Sequence, residues 1–93
     1  NLYKSKRWEK KRKVIFKRDD YLCAECRRYG AHTPAHTVHH IFTSERHPEH
    51  MFTSSNLISL CNKCHEGMHN RATGELSDKG KWWQERVRAR VFK

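Results

Sequence analysis

Cys23-x-x-Cys26 and Cys61-x-x-Cys64 repeat one spacing with 34 residues between the two pairs, and this pattern restricts the fold more than any other feature of the chain. Two residues between thiolates let a tight turn present both sulfurs to one tetrahedral ion, and two such turns complete a four-thiolate structural zinc site. The same residues also admit two disulfides or a redox dithiol. No βαβ pattern surrounds either pair, and no stretch reads as a secretion signal or a membrane span. The expected setting is therefore a reducing, cytoplasmic one, where paired cysteines bind metal more often than they form disulfides. A metal staple also answers a need. A 93-residue chain with 35% hydrophobic residues and a mean hydropathy of −1.06 buries only a modest core. Three Trp, three Tyr and four Phe nevertheless argue against disorder.

Charge is distributed unevenly. Nine basic residues lie between Lys4 and Arg18 against Glu9 alone, six more between Lys79 and Lys93 against Glu85, and only five in the middle. Four thiolates and one Zn²⁺ would add −2 and bring the formal +10 to +8. Two cationic ends around a Cys- and His-rich centre suit a polyanion, most simply nucleic acid; the blander reading is a pair of solvated helix faces.

The chain reads as a single domain over residues 1–93 of the α+β class. A basic helix is expected over about 5–18, where Trp8 and Ile15 recur at seven residues and Asp19-Asp20 close the pattern. A zinc-bearing core is expected over about 21–72. Within it His36–Phe42 has the composition of a strand, Leu57–Leu60 is an apolar run too short to classify, and Asn62 to about Arg71 suits a helix interrupted by Gly67. A last helix is expected over about 78–92 with Ser77 as N-cap; its stripe of Trp83, Val87 and Val91 reads as core. Trp82 and Trp83 could offer a partner surface, though one buried and one exposed ring is the simpler expectation.

Eight histidines are many for this length, and four of them carry the chemistry. His39 and His40 end the candidate strand. If Cys64 points at the zinc, His65 must point elsewhere, because neighbours on a helix diverge by about 100°. His65 and His69, at i and i+4, would share a helix face and grip a second ion, with His39 as a further ligand and one position open to water. Side chains alternate along a strand, so His39 and His40 should face opposite sides. Both serve one site only if the strand end twists or if one of them contacts the substrate water instead of the ion.

Val38-His39-His40-Ile41, then Asn56-Leu57-Ile58-Ser59-Leu60-Cys61, then Cys64-His65, flanked by the two CxxC pairs, resemble the HNH family of nucleases in its zinc-bearing branch. Trp8, Arg12, Arg18-Asp19 and Tyr21-Leu22-Cys23 are similar to its small phage and bacterial members. The resemblance implies a treble-clef-like ββα-metal fold with flanking helices, and a metal-dependent DNA endonuclease yielding 5′-phosphate and 3′-hydroxyl ends. It implies His40 as general base, Asn56 as support for the loop carrying the base, and His39 and His65 as ligands of a catalytic Mg²⁺, Mn²⁺, Ni²⁺, Co²⁺ or Zn²⁺. His69 matches a third ligand found in only some members. Imidazole at position 39, where many members carry Asp, shifts preference away from Mg²⁺. The loop Thr43–Thr53, with His47 and His50, departs from the frequent pattern and takes no role.

Lys10, Arg12, Lys13 and Lys17 of the first helix, with Lys63 and Arg71, are the expected phosphate contacts, which position without reading sequence. Partners would be DNA and, for a phage enzyme, packaging proteins in the host cytoplasm. Two rivals stand beside it: a non-catalytic zinc-stabilised nucleic-acid-binding module, which fits the cysteines and basic ends equally well, and an adaptor in a larger assembly, a job that a nuclease can also do. The histidine group and Asn56 separate the first from a nuclease.

Overall fold

The computed structural model describes residues 2–93. Six regular elements follow in order: helix α1 (Lys6–Arg18), the short helix α2 (Ala24–Arg28), strand β1 (Thr37–His40), strand β2 (Leu57–Leu60), the short helix α3 (Asn62–Glu66) and helix α4 (Asp78–Val91). One-turn 3-10 segments cover Leu2–Lys4, Pro48–His50 and Ser54–Asn56.

α1 begins where expected. The Ser5 hydroxyl accepts from the Trp8 amide at 3.1 Å, satisfying one of the unpaired first-turn N–H groups. Trp8 and Ile15 form its buried stripe. The helix stops at Asp19, and Asp20 and Tyr21 then adopt positive φ of 55° and 60°, a left-handed turn that costs non-glycine residues free energy. Polar stitches hold this turn against β2. The Arg18 guanidinium donates to the Ser54 and Leu57 carbonyls at 2.9 and 2.6 Å, while the Asp19 carboxylate accepts from the Ser59 amide at 2.9 Å and from Arg18 itself.

β1 and β2 pair antiparallel in the register Thr37–Leu60, Val38–Ser59, His39–Ile58 and His40–Leu57. The strand expected over His36–Phe42 is thus shorter, because Ile41 and Phe42 leave the ladder to pair with Asn56. Alternation along this ribbon divides the interior into two small cores. Val38 and Leu57 join Trp8 and Ile15 on the α1 side. Ile58 and Leu60 join Ile41, Phe42, Met68, Val87, Val91 and the cysteines on the other. The Trp83, Val87 and Val91 stripe of α4 packs into that second core, as its spacing predicts.

α4 is capped by Ser77, whose hydroxyl accepts from the Gly80 amide at 3.2 Å. A Cβ at Gly80 would fall 2.5 Å from Leu76 and 2.7 Å from the Met68 carbonyl, so only glycine permits this approach. Glu25, 2% exposed, receives the Trp83 indole N–H at 3.0 Å and pairs with Arg28 at 2.7 Å, joining the first cysteine turn to α4. Trp82 stays exposed beneath the Arg28 guanidinium, 3.3 Å from its ring centre. None of the helices among the described residues is long and apolar enough to cross a membrane.

The helix expected over Asn62 to about Arg71 ends at Glu66 instead. The Ser77 hydroxyl takes the Gly67 carbonyl at 2.6 Å, and the Ser77 amide takes that of Met68 at 2.9 Å. The Asn70 amide, which a longer helix would give to the Glu66 carbonyl, goes to the Glu75 carbonyl at 2.7 Å instead, so the helix does not propagate. The chain turns through Asn70–Gly74, and His69 lies in an isolated bridge to Leu76.

Candidate active site and metal centres

The four cysteine sulfurs lie within 4.8 Å of one another, contributed by the turns that start α2 and α3. Cys26 Sγ is 3.7 Å from that of Cys64 and 4.0 Å from that of Cys61. Four sulfurs held about 2.3 Å from one tetrahedral ion stand about 3.8 Å apart, so the set fits zinc closely. All four thiols are unbonded, at separations far beyond a disulfide. The Cys26 amide donates to Cys23 Sγ at 3.5 Å, tying the first turn to the site. Burial pushes the Cys23 and Cys64 thiols up, so a cation is what makes thiolates of them.

On the other side of α3 the ribbon ends in the paired histidines. Following the register, His39 faces the same side as Ile58, where its ring centre lies 5.3 Å from that of His65 and 6.5 Å from that of His69. His40 faces the α1 side and stacks on Trp8, with ring centres 4.9 Å apart and planes 18° from parallel; Tyr3 meets the imidazole edge-on. The two histidines nevertheless line one cleft of about 790 Å³, together with His65, His69 and Arg12. The opposed directions therefore do not separate them, because the cleft wraps around the strand end.

A ring bound through nitrogen at about 2.1 Å has its centre about 3.2 Å from the ion, so two rings at a tetrahedral angle have centres about 5.2 Å apart. The His39–His65 pair matches that value. The His39–His69 distance matches only two rings on opposite sides of an ion, and the three imidazoles do not converge as the cysteines do. His69 is not a helical i+4 partner of His65, because the helix has already ended. His39 is 7% exposed; burial pulls its pKa down to about 3, with the neighbouring His65, His69 and His40 adding to the effect. It is a neutral imidazole at physiological pH, as a metal ligand must be.

His40 Nε2 lies 3.0 Å from the Met51 carbonyl oxygen. A carbonyl only accepts, so Nε2 carries the proton and Nδ1 keeps a lone pair. Burial lowers the His40 pKa, with this hydrogen bond acting against it. Met51 belongs to the loop that the sequence left without a role, and Asn56 holds that loop. Fully buried, Asn56 accepts from the Phe42 amide at 2.7 Å and donates to the Phe42 and His50 carbonyls at 2.9 and 3.0 Å. His47 and His50 pack around Phe92 beyond the end of α4, with ring centres 5.2 and 4.9 Å away.

The expected phosphate contacts divide. Arg12 reaches the histidine cleft. Lys10, Lys13 and Lys17 lie about 200°, 140° and 180° around α1 from buried Trp8 and point away from it. Lys63 borders the sulfur cluster on the far side of α3, and Arg71 is exposed beside Glu66 at 3.4 Å. Sequence reasoning missed three features of the site. Trp8 belongs to the helical repeat, which says nothing of its stacking on His40; Tyr3 lies outside every pattern; and the Met51 contribution is a backbone carbonyl, which no side-chain motif announces.

A two-stranded ribbon ending in paired imidazoles, backed by a short helix that divides its side chains between a sulfur cluster and a histidine cleft, defines a small ββα-metal domain. Residues 23–71, more than half of the chain, match the sequence profile of the HNH endonuclease family. A solved structure, the HNH endonuclease of the deep-sea thermophilic bacteriophage GVE2 with a manganese ion, superposes with a TM-score of 0.68 at 34% identity, over 70% of this chain and 71% of that one. No curated protein matches the sequence. The chain belongs to the HNH endonuclease family, whose members are nucleases acting on DNA.

Proposed function

We propose that the protein cleaves DNA phosphodiester bonds to 5′-phosphate and 3′-hydroxyl ends, with His40 as general base and one divalent cation held by His39 and His65. The carrying observation is the His40–Met51 hydrogen bond, which assigns the ring proton to Nε2 and leaves Nδ1 basic. Nδ1 takes a proton from water as the oxygen attacks phosphorus. Trp8 packs flat against the imidazole and Asn56 fixes the loop bearing Met51, so ring and hydrogen-bond acceptor are both held before substrate arrives. His39 and His65 hold the cation as neutral ligands, with His69 as an outer member. When bound, the cation stabilises negative charge on the non-bridging and leaving oxygens. Imidazole ligands favour Mn²⁺, Co²⁺, Ni²⁺ or Zn²⁺ over Mg²⁺, and the manganese-containing phage relative supports that choice. Arg12 contacts a backbone phosphate at the cleft. The cysteine site holds zinc with all four positions filled and serves the fold alone. Likeness to a phage enzyme supports a role in phage DNA processing or packaging.

A plasmid-nicking assay across divalent metals tests the reading, with His40→Ala as control. Metal-dependent nicking by the parent and its loss in the variant are expected; equal nicking by both would remove His40 from the mechanism.

A further inference from the structure

Thr43 and His69 line two clefts rather than one. The second, about 770 Å³, lies between the start of the 43–53 loop, the turn before Ser77 and the exposed side of α4. Its charged lining is Arg46, Lys81 and Arg88 against Glu75 alone. Arg88 is partly committed, bonded to Glu85 at 3.1 Å and lying over the Phe42 ring. Arg46 and Lys81 have no carboxylate within ion-pair distance among the described residues. Cations brought from separate segments into one groove repel each other and leave a positive potential that a polyanion relieves. The groove is also fixed in shape, because the Gln84 amide donates to the Ile41 carbonyl at 3.2 Å and holds α4 against the end of β1.

We propose that this second cleft is a backbone-phosphate subsite for the same DNA strand that is cut, taking the phosphates beyond His69, on the far side of the reacting bond from Arg12. The inference rests on the nuclease reading and adds what it lacks, a second point of grip. Thr43 and His69 belong to both linings, so the two clefts adjoin there and a strand leaving the histidine cleft past them reaches the second. Arg46 and Lys81 would contact non-bridging oxygens and read no sequence. Lys10, Lys13 and Lys17 are more numerous but face away from both clefts, so the effective cations are these fewer ones from the loop and α4.

The test measures affinity by fluorescence anisotropy on a duplex of about 20 base pairs, roughly 68 Å long at 3.4 Å per step, against a 31 Å maximum extent for the protein. Arg46→Ala, Lys81→Ala and the double variant are compared in a His40→Ala background, and Lys81→Arg serves as the conservative control. Each alanine is expected to weaken binding about 5- to 10-fold and to reduce the log–log salt slope by about 0.9, the value of one phosphate contact. Lys81→Arg should retain the slope. In the otherwise native enzyme, hydrolysis of bis(p-nitrophenyl) phosphate, which has no backbone beyond its phosphorus, should fall by less than about twofold while DNA cleavage at sub-saturating substrate falls with the affinity. Unchanged affinity and slope in the double variant overturn the subsite, and so does a loss of small-diester hydrolysis as large as that for DNA. A parent that binds DNA but cleaves neither substrate overturns the nuclease reading instead, and the binding arm still decides the subsite.

Discussion

Replacing Asn56 with Ala removes one side chain and three hydrogen bonds, buried ones to the Phe42 amide and carbonyl and a partly buried one to the His50 carbonyl. Each such bond contributes about 1 kcal/mol net, and each buried group left without a partner costs about 1–3 kcal/mol. The His50 carbonyl keeps the Thr53 amide at 3.3 Å, so the Phe42 amide and carbonyl are the two groups left without a partner, and a loss of about 3 kcal/mol is expected. In a domain this small each kcal/mol is worth about 4–8 °C, so the melting temperature of the zinc-loaded protein should fall by roughly 12–24 °C. Urea unfolding should show the same loss at an unchanged slope. Activity should fall further than stability explains. His50 precedes Met51, and the Met51 carbonyl orients His40, so freeing the loop at His50 loosens the acceptor. A displacement of about 1 Å in a catalytic group costs on the order of 100-fold. At a temperature where the variant is fully folded, kcat should drop by that order while KM for DNA changes little. Asn56→Asp keeps the acceptor but loses both donated bonds, and it should behave more like Asn56→Ala than like the parent. A melting temperature within a few degrees of the parent, or a fall confined to KM, would refute the clamp.

The remaining predictions concern the base, the staple and the ion. His40→Ala should keep DNA and metal binding and lose cleavage by about 100-fold or more, the scale of a general base, as read from initial nicking rates. Cys64→Ser should leave the domain unfolded at any zinc concentration that saturates the parent, because the bound ion supplies folding free energy; a far-ultraviolet circular dichroism melt matching the parent would remove the zinc from that role. His39→Ala and His65→Ala should each weaken Mn²⁺ binding by at least about 10-fold in calorimetry, whereas His69→Ala should cost less than about 3-fold, because only the first two rings stand at the separation a shared ion requires.

The parts of this molecule legible in the sequence were those with local causes. Ser77 caps its helix through a hydrogen bond within three residues, and the two CxxC turns place their own sulfurs. Trp8 and Ile15 follow helical spacing, and so does the α4 stripe. What stayed hidden depended on partners distant in sequence. The helix after Asn62 reads as longer because its end depends on Glu75, outside the apparent helix, taking the Asn70 amide. His65 and His69 therefore looked like neighbours on one face, and they are not. The function of the 43–53 loop was invisible because its contribution is the backbone carbonyl of Met51. The basic residues of α1 looked uniform as a charge run, yet a 100° step per residue gives Arg12 to the cleft and Lys10, Lys13 and Lys17 to solvent. Alternation along β1 was readable, but not that the cleft would curve around its end.

That alternation makes the ribbon a septum between two cores, with the candidate base supported from one and the candidate metal ligands from the other. A copy that has loaded its sulfur cluster but not docked α1 would have the ion's ligands in place and no Trp8 behind His40. On the proposed roles such a half-built copy would hold the ion without a positioned base, so cleavage of DNA would report a completed fold.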